Sequence, residues 1–291
     1  MVGVRLAVAE FHSLQVASVQ KETRDAVAVS FAVPEPLRAK YRFEPGQYLT
    51  LRKEFDGEEI RRNYSICSVP QAAEMTVAIK RVAQGMFSTW ANDHLHAGRY
   101  LDVMTPAGRF VRVKTVPGGN YLAIAAGSGI TPVLSIIKTT LQEEPASRFT
   151  LVYGNRAAHS VMFREALEDL KNSYLARFSL IHILSREKQD VDMLNGRIDL
   201  PKCRALFSRW VSVDGLDAVY LCGPQSMMED ASTALAEAGV DEARIHRELF
   251  FLEGQPAGRG IANPERSRSG QCTVTVIQDG RSREFLMERG A

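Results

Sequence analysis

The stretch "YLAIAAGSGITPVLSIIKTTL", beginning at Tyr121, constrains the fold more than any other part of the chain. A short apolar run passes through a glycine pair straight into a segment of helical periodicity. Compact apolar runs recur at "FTLVY", "FSLIHIL" and "AVYLC", alternating with helical patterns near 132–142, 159–171 and 225–238. Runs that are apolar throughout suit strands covered on both faces, and strands alternating with helices build parallel sheets. The second half therefore predicts a doubly wound α/β sheet, with "RIHRELFF" as its last strand.

The first half reads differently. Short alternating segments at 14–19, 26–33, 48–51, 75–79 and 100–104 are broken by "PEP", "EPGQ", "FDGEE" and "TPAG". That rhythm predicts an all-β, antiparallel barrel with one helix near 87–94. The domain plan is an N-terminal extension (1–11), a barrel (12–116), an α/β domain (117–253) and a Gly/Pro/Arg/Ser-rich linker (254–270). A final segment (271–291) reads as a hairpin, with alternating runs flanking Asp279-Gly280, a dipeptide suited to a tight type I′ turn.

Composition excludes several classes. A length of 291 residues accommodates two cores, and a net charge of +2 with no dominant basic run argues against nucleic acid. No apolar stretch approaches the roughly 18 residues of a membrane span, and the start is too short for a signal sequence. The four cysteines, Cys67, Cys203, Cys222 and Cys272, are scattered without a C-x-x-C, which suggests neither a zinc site nor a disulfide framework. The cytoplasm is the expected compartment, and no metal site is expected from these residues.

Four signals carry chemistry. In "RRNYSICSVP", Arg62 and Tyr64 share one face of a strand, because strand side chains alternate with a period of two. A guanidinium can clamp a diphosphate while the phenol ring covers a flat heterocycle and the Ser65 hydroxyl donates to a ring nitrogen. The plain alternative is an exposed Arg and a half-buried Tyr on a barrel strand. In "IKRVAQGMFST" (79–89), Gly85 followed by Ser88 and Thr89 at a helix start offers backbone N–H groups and hydroxyls to an anion. In isolation a plain glycine turn with a Ser cap is the better reading, and the anion site gains weight only beside Arg62.

The third signal is the turn after the first apolar run. Gly127 and Gly129 let backbone approach a pyrophosphate at a helix N-terminus, with Thr131 next and Pro132 expected at the first helical position. The fourth is the polar rim at later strand ends: Asn155-Arg156, Ser185-Arg186 and Cys222-Gly223-Pro224. No acidic residue directly ends the second strand to take a ribose 2′-hydroxyl. Two arginines and a serine at strand ends suit a 2′-phosphate instead.

Together these motifs resemble, in order and spacing, the ferredoxin–NADP⁺ reductase superfamily, over roughly 12–253. More narrowly, "FHSLQVASVQKETRDAVAVSFAVP", "YLAIAAGSGITP" and "FTLVYGNR" resemble the reductase components of phenylacetyl-CoA epoxidases. The resemblance implies an FAD-containing NADPH reductase that feeds a multicomponent oxygenase. It assigns Arg62, Tyr64, Ser65, Ile79, Lys80, Gly85, Met86, Phe87, Ser88, Thr89 and Phe250 to FAD. To NADPH it assigns Gly127, Gly129, Thr131, Pro132, Asn155, Arg156, Ser185, Arg186, Gly223 and Pro224. Ser65, Cys222 and Glu248 become the catalytic candidates, with Thr131 and Cys222 bracketing the nicotinamide. Family members of this type append a plant-type [2Fe–2S] ferredoxin domain, whose first two strands the terminal hairpin resembles. The cluster-ligand cysteines are absent from these 291 residues, so a truncation or a loss of that centre is expected. The rivals are a reductase of another ring hydroxylase and a redox-silent nucleotide-binding scaffold.

Overall fold

Six strands carry the first half of the chain: β1 (Phe11–Thr23), β2 (Ala26–Ala32), β3 (Tyr48–Phe55), β4 (Glu58–Ser65), β5 (Met75–Lys80) and β6 (Tyr100–Met104). The computed structural model describes residues 10–113 and 118–250, with the backbone of 271–278 and 281–288. The strands pair antiparallel in the order β4-β3-β6-β1-β2-β5. A bridge between Ile66 and Val77 brings the two outer strands together, so the sheet rolls into a barrel. Alternate side chains point inward, and Leu14, Val16, Phe31, Leu51 and Val103 form one fully buried core. The β3–β4 hairpin turns at Asp56 and Gly57, both at positive φ (50° and 84°), which is the chemistry of a type I′ turn. Helix α1 (Met86–His94) packs on β5 and β2 and buries Phe87 in the barrel core.

The second half is a parallel sheet of β7 (Asn120–Ala126), β8 (Arg148–Asn155), β9 (Phe178–Leu184), β10 (Ala218–Gly223) and β11 (Ile245–Leu249), in the order β11-β10-β7-β8-β9. Four helices cover it: α2 (Ile130–Glu143), α3 (Arg164–Ser173), α4 (Leu200–Arg209) and α5 (Gln225–Glu237). Tyr121, Ala123 and Ala125 face the core under α2 and α3, while Leu122 and Ile124 face the core under α4 and α5. Strand order reverses between β7 and β10, which makes the ends of those strands the crevice where α/β sheets bind ligands.

Several expectations need correction. Pro132 stands third in α2, because the helix already begins at Ile130; the first turn still lacks intrahelical acceptors for its N–H groups, so proline is tolerated there. The helix expected from 159 begins at Arg164, since residues 158–160 form a separate 3₁₀ turn and Phe163 adopts left-handed φ 57°. Helix α4 escapes the sequence pattern because Pro201 reads as a breaker. Within the first turn it is harmless, and Asp199 caps the helix by accepting the Lys202 N–H at 2.9 Å. Cys272 lies within β12 (Gln271–Gln278). That strand pairs antiparallel with β13 (Arg281–Glu288) in a two-stranded sheet of their own. Most of the extension, the linker and the Asp279-Gly280 turn lie outside the described residues.

The barrel and the parallel sheet share a core. Ala26, Ala28, Cys67, Ala78 and Phe110 cluster with Val133, Leu134 and Ile137 of α2. The Ser135 hydroxyl donates to the Ser68 carbonyl at 2.7 Å, and buried Arg112 pairs with Glu143 and Glu144. Helix α2 therefore carries its N-terminal glycine turn while held against the barrel.

Candidate active site

The register of β3 and β4 sets the first wall of the site. Leu51 lies opposite Arg62 and Leu49 opposite Tyr64, so these four side chains share the face that α1 approaches. The Tyr64 ring sits 5.8 Å from Phe87 at a tilt of 36°. One Arg62 nitrogen donates to the Arg61 carbonyl at 2.7 Å, which holds the guanidinium along the strand. Ser65, at the end of β4, is only 4% exposed.

The start of α1 corrects the sequence reading of the Ser88 hydroxyl. Ser88 is buried, and its hydroxyl accepts the Val82 N–H at 3.1 Å and donates to the Gly85 carbonyl at 3.3 Å. It closes the loop instead of facing a ligand. The Thr89 N–H donates to the Gly85 carbonyl. What remains is the backbone: Gly85 has no capping side chain, so the first-turn N–H groups of Met86, Phe87 and Ser88 receive none. An uncapped helix N-terminus beside a face bearing Arg62 fits a diphosphate. Ile79 is fully buried in the barrel and its carbonyl accepts from Asn92, while Lys80 reaches Asp25 at 3.8 Å. Neither side chain adds to that anion site.

The second wall is the turn Gly127–Gly129, a 3₁₀ segment that lies against β5. Gly127 has φ +55°, and a Cβ placed there would meet no described atom within 4 Å. The space above it is an open cradle suited to a pyrophosphate. The turn is braced from below by Tyr153, whose hydroxyl donates to the Gly127 carbonyl at 2.9 Å, and by Thr131, which donates to Ser128 at 3.0 Å. Burial holds the Tyr153 phenol far above its ordinary range, so it stays a donor. Thr131 and Pro132 are themselves buried.

Cys222, next to last in β10, is fully buried, with Glu248 opposite it on β11. Burial first, and then the nearby Glu248, raise its thiol well above 9, so the sulfur is neutral. Glu248 is itself 6% exposed and lines a cleft of about 360 Å³ with Arg109, Phe110 and His246. Phe250 packs at the edge of the shared core. A Cβ on Gly223 would stand 2.7 Å from the Met227 methyl, and exposed Pro224 leads into α5.

The remaining candidates converge at the ends of β8 and β9. The Ser185 N–H donates to Asn155 at 2.9 Å and the Arg186 N–H to Arg156 at 2.8 Å, so the strands stay paired past their ends. Arg156 and Arg186 thereby stand side by side, both exposed, and neither meets a carboxylate among the described residues. Asn155 has its amide nitrogen buried without an acceptor there. The glycine turn lies against β5 of the barrel, and the arginine pair stands at the ends of β8 and β9.

Three residues that the sequence reading missed complete the first wall. Phe55, Lys53 and Trp90 extend the aromatic band that begins at Tyr64. The available signal is alternation on β3, whose Lys53 and Phe55 fall in phase with Arg62 and Tyr64 across the hairpin. No group of three or more His, Cys, Asp or Glu among the described residues could hold a metal.

An antiparallel barrel with a diphosphate cradle, joined to a doubly wound nucleotide sheet, defines a two-domain nicotinamide-dependent flavoprotein reductase. Residues 13–111 match the oxidoreductase FAD-binding domain family and residues 123–233 the oxidoreductase NAD-binding domain family. The chain belongs to these FAD- and NAD-binding oxidoreductases of the ferredoxin–NADP⁺ reductase type. It is 49% identical over 278 residues to the E component of 1,2-phenylacetyl-CoA epoxidase from Escherichia coli (strain K12), covering 95% of this chain and 77% of that one. It is 36% identical to the ferredoxin reductase component of 3-ketosteroid-9-alpha-monooxygenase from Mycolicibacterium smegmatis, covering 96% and 77%. Among solved structures, the flavohem-like FAD/NAD binding domain of nitric oxide dioxygenase from Vibrio cholerae superposes with a TM-score of 0.72 at 25% identity, over 82% of this chain and 98% of that one. A ferredoxin NADP⁺ reductase from Neisseria gonorrhoeae with bound FAD and NADP shares the fold, with a TM-score of 0.72 at 19% identity over 84% and 100%. No helix among the described residues is long and apolar enough to cross a membrane.

Proposed function

We propose that this chain is the reductase component of a multicomponent oxygenase, drawing electrons from NADPH through FAD, and that the system it serves is a phenylacetyl-CoA epoxidase. The observation that carries the reading is the meeting of two walls. The Arg62 and Tyr64 face, with Ser65 ending the same strand, and the uncapped start of α1 belong to the barrel whose β5 meets the Gly127–Gly129 turn. Bound FAD supplies the chemistry of taking two electrons from a nicotinamide and releasing them singly.

The chain's own residues position and neutralise. Arg62 and the N–H groups of Met86 and Phe87 hold the flavin diphosphate, Tyr64 covers the ring system, and the Ser65 hydroxyl bonds to a ring nitrogen. Gly127 and Gly129 admit the pyrophosphate of the nicotinamide coenzyme against the N-terminus of α2. Thr131, locked to Ser128, and the neutral thiol of Cys222 fix the shape of the nicotinamide seat, with Pro132, Gly223 and Pro224 setting its backbone. Arg156 and Arg186, flanked by Asn155 and Ser185, take the adenosine end and its 2′-phosphate. Glu248 and Phe250 close the crevice from β11. Holding two rings at reacting distance, about 3–3.5 Å, is the main contribution a protein makes to such a transfer.

The 49% identity to a phenylacetyl-CoA epoxidase component supports the epoxidase as partner. A reductase for a different oxygenase is the second reading, supported by the 36% identity to a 3-ketosteroid monooxygenase component. The proposed compartment is the cytoplasm. The test begins with colour: the purified chain should be yellow, and Arg62→Ala should lose most of its bound FAD, a charge-assisted contact being worth roughly 1.5–3 kcal/mol. Equal flavin absorbance per chain in the two proteins would refute the role of Arg62. The partner is tested by adding oxygenase components of the epoxidase or of the steroid system and measuring NADPH-driven product. Turnover with the steroid components alone would refute the epoxidase assignment.

A further inference from the structure

Glu22 of β1 is half-buried where the barrel meets α2 and α3, with Lys138 and Glu165 of those helices as charged neighbours. Its carboxylate accepts the Phe163 N–H at 3.0 Å. Phe163 is a bulky residue in left-handed backbone, with φ 57°. Such a conformation costs energy and persists only where the surroundings hold it. Here the holding contact comes from a barrel strand, 141 positions away in sequence.

The bend at Phe163 sets the residue before it. Met162 is fully buried in the same core as Tyr153, and its N–H is directed at the Tyr153 hydroxyl oxygen. That hydroxyl gives its own proton to the Gly127 carbonyl at 2.9 Å. A hydroxyl that accepts on one side and donates on the other is fixed in rotation, so Met162 helps to choose where Tyr153 donates. Gly127 and Ser128 are joined by a trans peptide, in which the carbonyl and the N–H point opposite ways. Drawing the Gly127 carbonyl down to Tyr153 therefore aims the Ser128 N–H up, toward the open space over the turn. We infer that Glu22 is a positioning residue for the nicotinamide coenzyme, setting the aim of the Ser128 N–H through Phe163, Met162 and Tyr153. The inference rests on the coenzyme reading of the glycine turn and deepens it, because Glu22 belongs to the barrel and to no nucleotide motif. Acting at a distance on a pyrophosphate donor, Glu22 governs binding of the coenzyme and leaves the transfer step alone.

The experiment uses the full, FAD-loaded chain, with ferricyanide as electron acceptor, and reads KM and kcat for NADPH and NADH alongside bound FAD per chain. Glu22→Ala and Glu22→Met remove the acceptor, the second at nearly constant volume. Each should raise KM for both coenzymes by about three- to tenfold, the scale of one hydrogen bond, with kcat and bound FAD near wild type. The rise is common to both because both carry the pyrophosphate. Glu22→Gln keeps an acceptor of the same reach and should hold KM within about twofold of wild type. Tyr153→Phe should raise KM as the acceptor-free variants do, and adding Glu22→Ala to it should raise KM no further, since both changes act on one carbonyl. An unchanged KM in both acceptor-free variants overturns the inference while leaving the coenzyme reading intact. So does a Glu22→Gln variant as weak as Glu22→Ala, or a Glu22→Ala effect that adds in full to that of Tyr153→Phe. A wild type whose flavin neither coenzyme reduces refutes the coenzyme reading, and the inference with it.

Discussion

Gly129 stands so close to the end of β10 that a Cβ on it would lie 2.1 Å from the Cys222 carbonyl oxygen. Gly129 closes the turn that follows β7, and Cys222 lies on β10, the parallel neighbour of β7, so their contact holds the dinucleotide turn at the switch point. The obstacle is backbone, which cannot swing aside as a side chain would. Gly129→Ala should therefore destabilise the chain by about 1–3 kcal/mol, the usual cost of forcing extra atoms into a packed site. Thermal unfolding would register this as a lower Tm, and KM for NADPH should rise while bound FAD per chain stays near wild type. An unchanged Tm would mean that the turn can shift away from β10 at little cost.

A second contact joins the two halves. The Glu22 carboxylate on β1 accepts the Phe163 N–H at 3.0 Å, at the left-handed residue that leads into α3. Burial is the first cause acting on Glu22 and raises its pKa above 4.5, outweighing the Phe163 N–H and nearby Lys138. With the folded value raised, this group's contribution to stability is complete below the unfolded carboxylate value and declines as pH rises through the folded one. Glu22→Gln keeps an acceptor for Phe163 and removes the titration. The variant should lose less Tm than wild type as pH rises from 4.5 toward neutrality. Parallel curves for the two proteins would show that Glu22 titrates the same folded and unfolded.

Coenzyme choice is a third test. Arg156 and Arg186 stand side by side because the Arg186 N–H reaches the Arg156 carbonyl at 2.8 Å. Replacing both with alanine should raise KM for NADPH by about tenfold or more, the worth of charge-assisted phosphate contacts. KM for NADH should stay nearly constant, since only NADPH carries the 2′-phosphate. A wild type that already prefers NADH would refute the assignment.

Ser65 supplies the fourth. Ser65 is 4% exposed at the end of β4, and Ser65→Ala removes only its hydroxyl. The variant should bind FAD within a few-fold of wild type but be reduced by NADPH about tenfold more slowly, as a bond that matters most during the transfer would require. Stopped-flow absorbance measures the rate. An unchanged rate would assign Ser65 to the structure of β4.

Much of this molecule was legible in the chain. Period-two alternation identified five of the six barrel strands, with β6 (Tyr100–Met104) placed to the residue, while β4 was read as a strand only from its Arg62 and Tyr64 motif. Uniformly apolar runs identified the parallel sheet, because strands covered on both faces have no polar side to show. The nucleotide turn was legible because glycine leaves a local mark where backbone takes a left-handed φ, as at Gly127, or approaches a neighbour closely, as at Gly129. Tertiary structure decided the rest. Ser88 read as a ligand hydroxyl until the fold directed it to Val82 and Gly85. Lys53, Phe55 and Trp90 carry no motif, and only hairpin register and the packing of α1 bring them to the Arg62 face. The contacts of Gly129 with Cys222 and of Glu22 with Phe163 link residues some ninety and 141 positions apart. Local pattern reports a residue's own backbone and burial, whereas partners so distant in sequence are chosen by how sheets and helices pack.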